Sequence, residues 1–283
     1  MWYVYTLISI CLFASVELFY KKYVEANPKI SANSLSVFSN LWIFIVSGVY
    51  IVLSRISIDF TTIPYVLLLL NAFFFTLATA FYYESYKHIS ASIATILGMS
   101  SAVVSTLLGI YFFQESNSWI KFLGTGIIMI SIVVLYWEKA RISLKYYSFA
   151  LIGGALYGLA YIIDKELIVT QSMPITNLLF LSVLFAIPMK ILLNGRTFFT
   201  SAKKINLQSH ISAFMIGLSN VGAYGLMYRA YQAGGEVGKI DSLNNLVIFM
   251  VIIGEYIFFK DSHSLKRKII AGMIAVCGAY LLR

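Results

Sequence analysis

Residues 256–282 read YIFFKDSHSLKRKIIAGMIAVCGAYLL, and residues 110–136 read IYFFQESNSWIKFLGTGIIMISIVVLY. In both, an apolar run closes in Phe-Phe, a polar, acidic, Ser-containing turn follows, and a Gly-containing apolar run ends the stretch. One unit occurring twice, about half a chain apart, is the mark of an internal repeat. Just upstream, YESYKHISASIATI (83–96) matches YRAYQAGGEVGKID (228–241) in two tyrosines and a small-residue turn. Earlier still, Phe13, Glu17 and Lys21 correspond to Tyr157, Tyr161 and Lys165. Each set is spaced i, i+4, i+8, so each forms one stripe along a helix. The chain therefore reads as one domain, 1–283, built of two pseudo-repeats, 1–142 and 143–283.

Composition says where such a chain sits. Of 283 residues, 60% are hydrophobic and 12% charged, with mean hydropathy +0.83. A soluble domain carries about 25% charged residues, so this is an integral membrane protein. In lipid every backbone polar group must be satisfied within its own segment, which makes the fold all-α. Ten apolar segments follow: roughly 2–20, 34–54, 63–86, 90–113, 118–137, 146–168, 174–193, 208–232, 236–259 and 266–282. Each is near the ~20 residues that span a bilayer. Five helices per repeat is an odd number, so the second half enters from the opposite side. The expected architecture is ten transmembrane helices as two inverted five-helix repeats.

The net charge of +9 does not point to nucleic acid. Fifteen of the 21 Lys and Arg fall in the connections on one face. The positive-inside rule makes that face cytoplasmic and places both termini outside the cell membrane. Cys11 and Cys277 lie in separate apolar spans and predict no disulfide. His88, His210 and His263 lie singly, without metal-ligand spacing. No cofactor is expected. No span carries HExxH, GxSxG or a paired aspartate, so the chain is not read as an enzyme.

The hairpin 217–261 holds polar groups where a lipid-facing helix has none, and such groups mark a polar path by default. Asn220, Tyr224 and Tyr228 form one stripe on the eighth span. Asp241, Asn244 and Asn245 share one side of the ninth. The first set reads as pore lining or as interhelical packing. Asp241 reads as a cation or proton acceptor, or as an ion-pair partner of Arg229. Tyr157 and Tyr161 are lining residues on the sixth span. Glu17 is a coupling carboxylate or an i, i+4 partner of Lys21. Glu84 and Arg229, at matching places in the repeats, are gate candidates. Glu255 reads as interfacial charge, and Gly98, Ala102, Ser105 and Gly109 as close helix packing.

These pieces resemble the drug/metabolite transporter superfamily, in particular its EamA-type ten-helix permeases. The resemblance rests on the FFQES and FFKDS ends of the fourth and ninth spans, the Gly-containing closing helices, the small-residue turns after Tyr86 and Tyr231, and the Lys at the end of the first and sixth spans. It covers nearly the whole chain. It implies a path lined by the first, third, fourth, sixth, eighth and ninth helices, with the fifth and tenth peripheral. The expected function is secondary active transport of a small polar organic metabolite by alternating access. Tyrosines and carboxylates suit an ammonium group, and Arg229 with Lys239 suits a carboxylate. An amino acid or related zwitterion meets both, and export is the direction the resemblance implies. The alternatives are an uptake carrier for a cationic or quaternary amine, or a non-transporting subunit or flippase of lipid-linked substrates. The partners are the small-molecule substrate, membrane lipids and a proton as the candidate coupling ion.

Overall fold

The computed structural model describes residues 2–58, 60, 63–113, 118–136, 144–233, 243–244, 246–260 and 265–281. Among these residues the chain is all-helical. The helices are α1 (Trp2–Ala26), α2 (Ala32–Leu53), α3 (Tyr65–Tyr86), α4 (Ala91–Gly98), α5 (Ser100–Phe113) and α6 (Trp119–Tyr136). They continue with α7 (Leu144–Lys165), α8 (Ile175–Asn194), α9 (Arg196–Ala202), α10 (Leu207–Gln232), α11 (Val247–Gly254) and α12 (Leu265–Leu281). Single π turns follow α7 at Glu166–Thr170 and α11 at Glu255–Phe259. The Ser31 hydroxyl caps α2, accepting from the Ser34 amide at 3.2 Å. Gly195, at φ 53°, ends α8 in a conformation that costs glycine nothing.

Among the described residues six helical stretches are long and apolar enough to cross a membrane: 2–26, 33–53, 65–86, 91–112, 144–168 and 176–194. The chain is thus a multi-pass membrane protein. The other four apolar segments of the sequence are also helical over their described residues, in α6, α10, α11 and α12. Helix α10 is 26 residues long, and its Asn, Ser, Tyr and Arg content lowers its hydropathy. The exposed side chains of the outer helices are apolar, as lipid contact requires: Leu7, Val66, Phe112, Ile130, Leu192 and Phe258 are all more than one-third exposed.

The helices pair in a definite way. α1 packs chiefly on α10, α3 on α7, α6 on α12, and α2 on α8. α2 also touches α10, and α8 also touches α3. The α4–α5 segment, interrupted at Met99, lies along α7. That contact depends on missing side chains. A Cβ on Gly98 would overlap the Tyr82 hydroxyl, and one on Gly154 would stand 2.6 Å from the Gly98 carbonyl oxygen. One on Gly158 would stand 2.6 Å from the Ser101 carbonyl oxygen. Gly98 and Gly109 are buried, and Ala102 and Ser105 half-buried, so the small-residue side of the fourth span is a packing surface. Because backbone cannot yield as a side chain does, Gly154→Val is expected to cost about 1–3 kcal/mol through overpacking. Thermal unfolding in detergent measures it; an unchanged midpoint would mean that α5 and α7 do not meet here.

Candidate functional site

The two tight pairs, α1–α10 and α3–α7, meet in a tyrosine-rich cluster, which we read as the wall of a cleft. From α1 come Phe13, Glu17 and Tyr20, and from α10 come Asn220 and Tyr224. From α3 come Phe75, Thr79, Tyr82 and Tyr86, and from α7 come Tyr157, Tyr161 and Asp164. Tyr82 and Tyr86 are buried, whereas Glu17, Tyr20, Tyr157, Asp164, Asn220 and Tyr224 keep part of their surface accessible and Tyr161 is 40% exposed. Accessible polar surface in the middle of apolar helices is what a cavity wall presents.

Ring contacts order this wall. Tyr157 and Tyr161 are stacked, 6.0 Å between centroids, and Phe75 meets both edge-on at 5.5 and 6.1 Å. Tyr82 meets Tyr157 at 5.2 Å, and Phe13 meets Tyr224 at 5.2 Å. Each such pair contributes about 0.5–1.5 kcal/mol beyond its burial and holds ring faces where a cation can lie on them. Asn220 donates to the Tyr20 hydroxyl at 3.5 Å, and the Thr79 and Tyr157 hydroxyls are 3.3 Å apart. The i, i+4 stripes Tyr157–Tyr161 and Asn220–Tyr224 therefore both belong to this cluster.

Glu17 sits at one end. Its carboxylate accepts a hydrogen bond from the Tyr86 hydroxyl, 69 residues away in sequence. The alternative pairing with Lys21 is not made. Lys21 forms an ion pair with Glu25 at 3.0 Å and donates to the Tyr86 and Ile89 carbonyls at 2.6 and 2.8 Å. Lys21 thus turns towards the helix end and the α3–α4 turn, leaving Glu17 with Tyr86 and, within electrostatic reach, Tyr20, Tyr82 and Tyr157. Among the described residues no cation lies within ion-pair distance of it.

A second carboxylate, Asp164, was not singled out by sequence reasoning. It accepts from Asn71 Nδ2 at 2.9 Å and lies within electrostatic reach of Tyr161 and Tyr224. The signal was present: an aspartate at i+3 from Tyr161 lies on the same stripe. It stood beside Lys165 at the end of a span, where charge is ordinary.

The remaining candidates sit elsewhere. Asp241 and Asn245 lie outside the described residues, as does the side chain of Tyr228. Asn244 is half-buried and donates to Met227 Sδ at 3.4 Å, which places it against α10. Glu84 lies at the end of α3, 3.5 Å from Lys87 Nζ and 3.8 Å from His88 Nε2. Burial holds the His88 pKa below its ordinary value, so Lys87 is the effective partner. Arg229 is exposed in the last turn of α10. Glu255, expected at the interface, is instead buried at 2% exposure and paired with Lys268 at 3.2 Å. A groove of about 520 Å³ on α6 and α12, lined by Met129, Ile130, Val133, Val134 and Arg267, shares none of the cleft residues.

The fold is shared with known proteins. A solved crystal structure of a protein, 14% identical, superposes with a TM-score of 0.63 over 99% of this chain and 97% of that one. A sequence comparison with curated proteins gives no match. The family model of the EamA-like transporters matches residues 1–137, consistent with the drug/metabolite transporter superfamily. Over residues 1–137, then, this membrane protein is similar to the EamA-like transporter family.

Proposed function

We propose that the protein is a secondary transporter that moves a small, ammonium-bearing organic solute across the cell membrane by alternating access, both termini lying outside. It is a carrier, not an enzyme, and uses no cofactor. Two inverted halves, 1–142 and 143–283, would rock about the cleft. The packing supports this: the first helix of each half lies on the third membrane helix of the other, α1 on α10 and α7 on α3. The second helices follow the same exchange, α2 reaching α10 and α8 reaching α3.

The observation that carries the substrate reading is Glu17 in a tyrosine-lined cleft without a described counter-cation. A carboxylate among aromatic faces binds an ammonium group by charge and by cation–π attraction together. An amino acid or related zwitterion, moved outward, fits if Arg229 or Lys239 reaches its carboxylate. Arg229 is exposed at the end of α10, and this favours the second reading, a cationic amine.

Purified protein screened for thermal stabilisation by amino acids, choline, tyramine and putrescine tests the reading, followed by proteoliposome flux of any that stabilise. A solute held at about 100 times its Kd stabilises by about 2.7 kcal/mol. Stabilisation by amino acids alone selects the zwitterion, and by choline or amines the cationic reading. If none stabilises and none is carried with or without a pH gradient, the transporter reading fails in favour of a subunit or flippase.

A further inference from the structure

Asp164 is held by a hydrogen bond from α3 and keeps part of its surface accessible. Asn71, fully buried on α3, gives one amide hydrogen to Asp164 at 2.9 Å and also donates to the Ala160 carbonyl at 3.2 Å. The Asn71 carbonyl oxygen accepts from the Ser182 hydroxyl at 2.8 Å. With three contacts on α7 and α8, the Asn71 amide cannot turn away. A carboxylate accepts about four hydrogen bonds, and among the described residues one donor, Asn71, is present. Asp164 lies within electrostatic reach of Tyr161 and Tyr224, and the residue keeps part of its surface accessible. Among the described residues no cation lies within ion-pair distance. A carboxylate so placed in a membrane span is costly, and a transient cationic partner offsets that cost.

The place in the cleft matters as much as the chemistry. Asn71 holds Asp164 and Tyr86 holds Glu17, and both belong to α3. They are fifteen residues apart, about 22 Å of helix rise. The two carboxylates therefore mark opposite ends of the cleft. The helices match in another way: Glu17 and Tyr20 on α1 are spaced as Tyr161 and Asp164 are on α7, with carboxylate and tyrosine exchanged.

We propose that Asp164 is a second cation-binding station, which takes the ammonium group of the transported solute at the end of the cleft opposite Glu17. The identity of the cargo rests on the transporter reading; the station itself is testable without it. In a background with both exposed cysteines replaced (Cys11→Ser, Cys277→Ser), Tyr161→Cys puts a thiol beside the carboxylate. Its modification rates with a trimethylammonium and a sulfonate methanethiosulfonate reagent are compared at about pH 8, where an ordinary carboxyl is ionised.

Adding Asp164→Asn, which preserves shape, is expected to lower the cation-to-anion rate ratio by on the order of tenfold or more. Glu17→Gln is expected to leave that ratio within about twofold, because the charge lies far off and is screened. Tetramethylammonium chloride should slow modification in the Asp164 protein but not in the Asp164→Asn variant. A ratio indifferent to Asp164→Asn, or equal protection in both proteins, overturns the proposal. Amine flux whose half-saturation Asp164→Asn does not change also overturns it. If charge selection and protection are found but no amine is carried, the station stands and the transport reading fails.

Discussion

Glu17→Gln is expected to reduce binding and flux of an ammonium-bearing solute by about a hundredfold and to leave the folded protein intact. An ammonium about 4 Å from a carboxylate is held by about 4 kcal/mol at an effective dielectric near 20, and losing most of that is a factor of this size. The fold is spared because the amide keeps the shape, and its oxygen still accepts from the Tyr86 hydroxyl. Tyr86→Phe separates placement from charge. It removes the donor and leaves the carboxylate, so a loss of about tenfold or less is expected, the value of one charge-assisted hydrogen bond. Flux and thermal stability of the two variants, measured side by side, decide the matter. Equal flux from Glu17→Gln and the parent would remove Glu17 from the site. A collapse in the stability of Glu17→Gln would instead make it a structural group.

Lys268→Met is expected to be the most destabilising single change in the described residues, at about 3–5 kcal/mol. Lys268 and Glu255 are each 2% exposed, 3.2 Å apart, and the Ser92 hydroxyl also donates to the same carboxylate oxygen. The group ties α4, the π turn after α11, and α12 together. Removing the ammonium leaves a buried carboxylate with Ser92 as its one remaining partner among the described residues, and that uncompensated charge is what destabilises. Removing both charges in Glu255→Leu/Lys268→Met takes the penalty away, so most of the stability should return. Thermal unfolding of the single and double variants reads this directly. Additive losses would show that the pair is not the interaction that matters.

Much of this protein was legible before any helix was placed in space. Apolar runs of spanning length had to be helices, because lipid offers a backbone no partner. The Phe-Phe turns at 110–116 and 256–262 announced a repeat, and i, i+4 spacing put Tyr157 with Tyr161 and Asn220 with Tyr224 on single faces. Those are local properties of the chain, and a helix delivers them wherever it packs. What local spacing could not decide was the partner of each charge. Glu17 had a neighbour at i+4 in Lys21, yet its partner is Tyr86; Glu255 looked interfacial, yet it is closed in by Lys268 and Ser92; Asp164 looked like a helix-end charge, yet Asn71 holds it in the cleft. Each outcome depends on the rotation of one helix against another. That rotation is set by close approaches such as Gly154 on Gly98 and Gly158 on Ser101, tens of residues apart in sequence. The chain alone determined helices and stripes; which stripe turned towards the tyrosine cluster, and which carboxylates have no cation beside them among the described residues, was decided by packing.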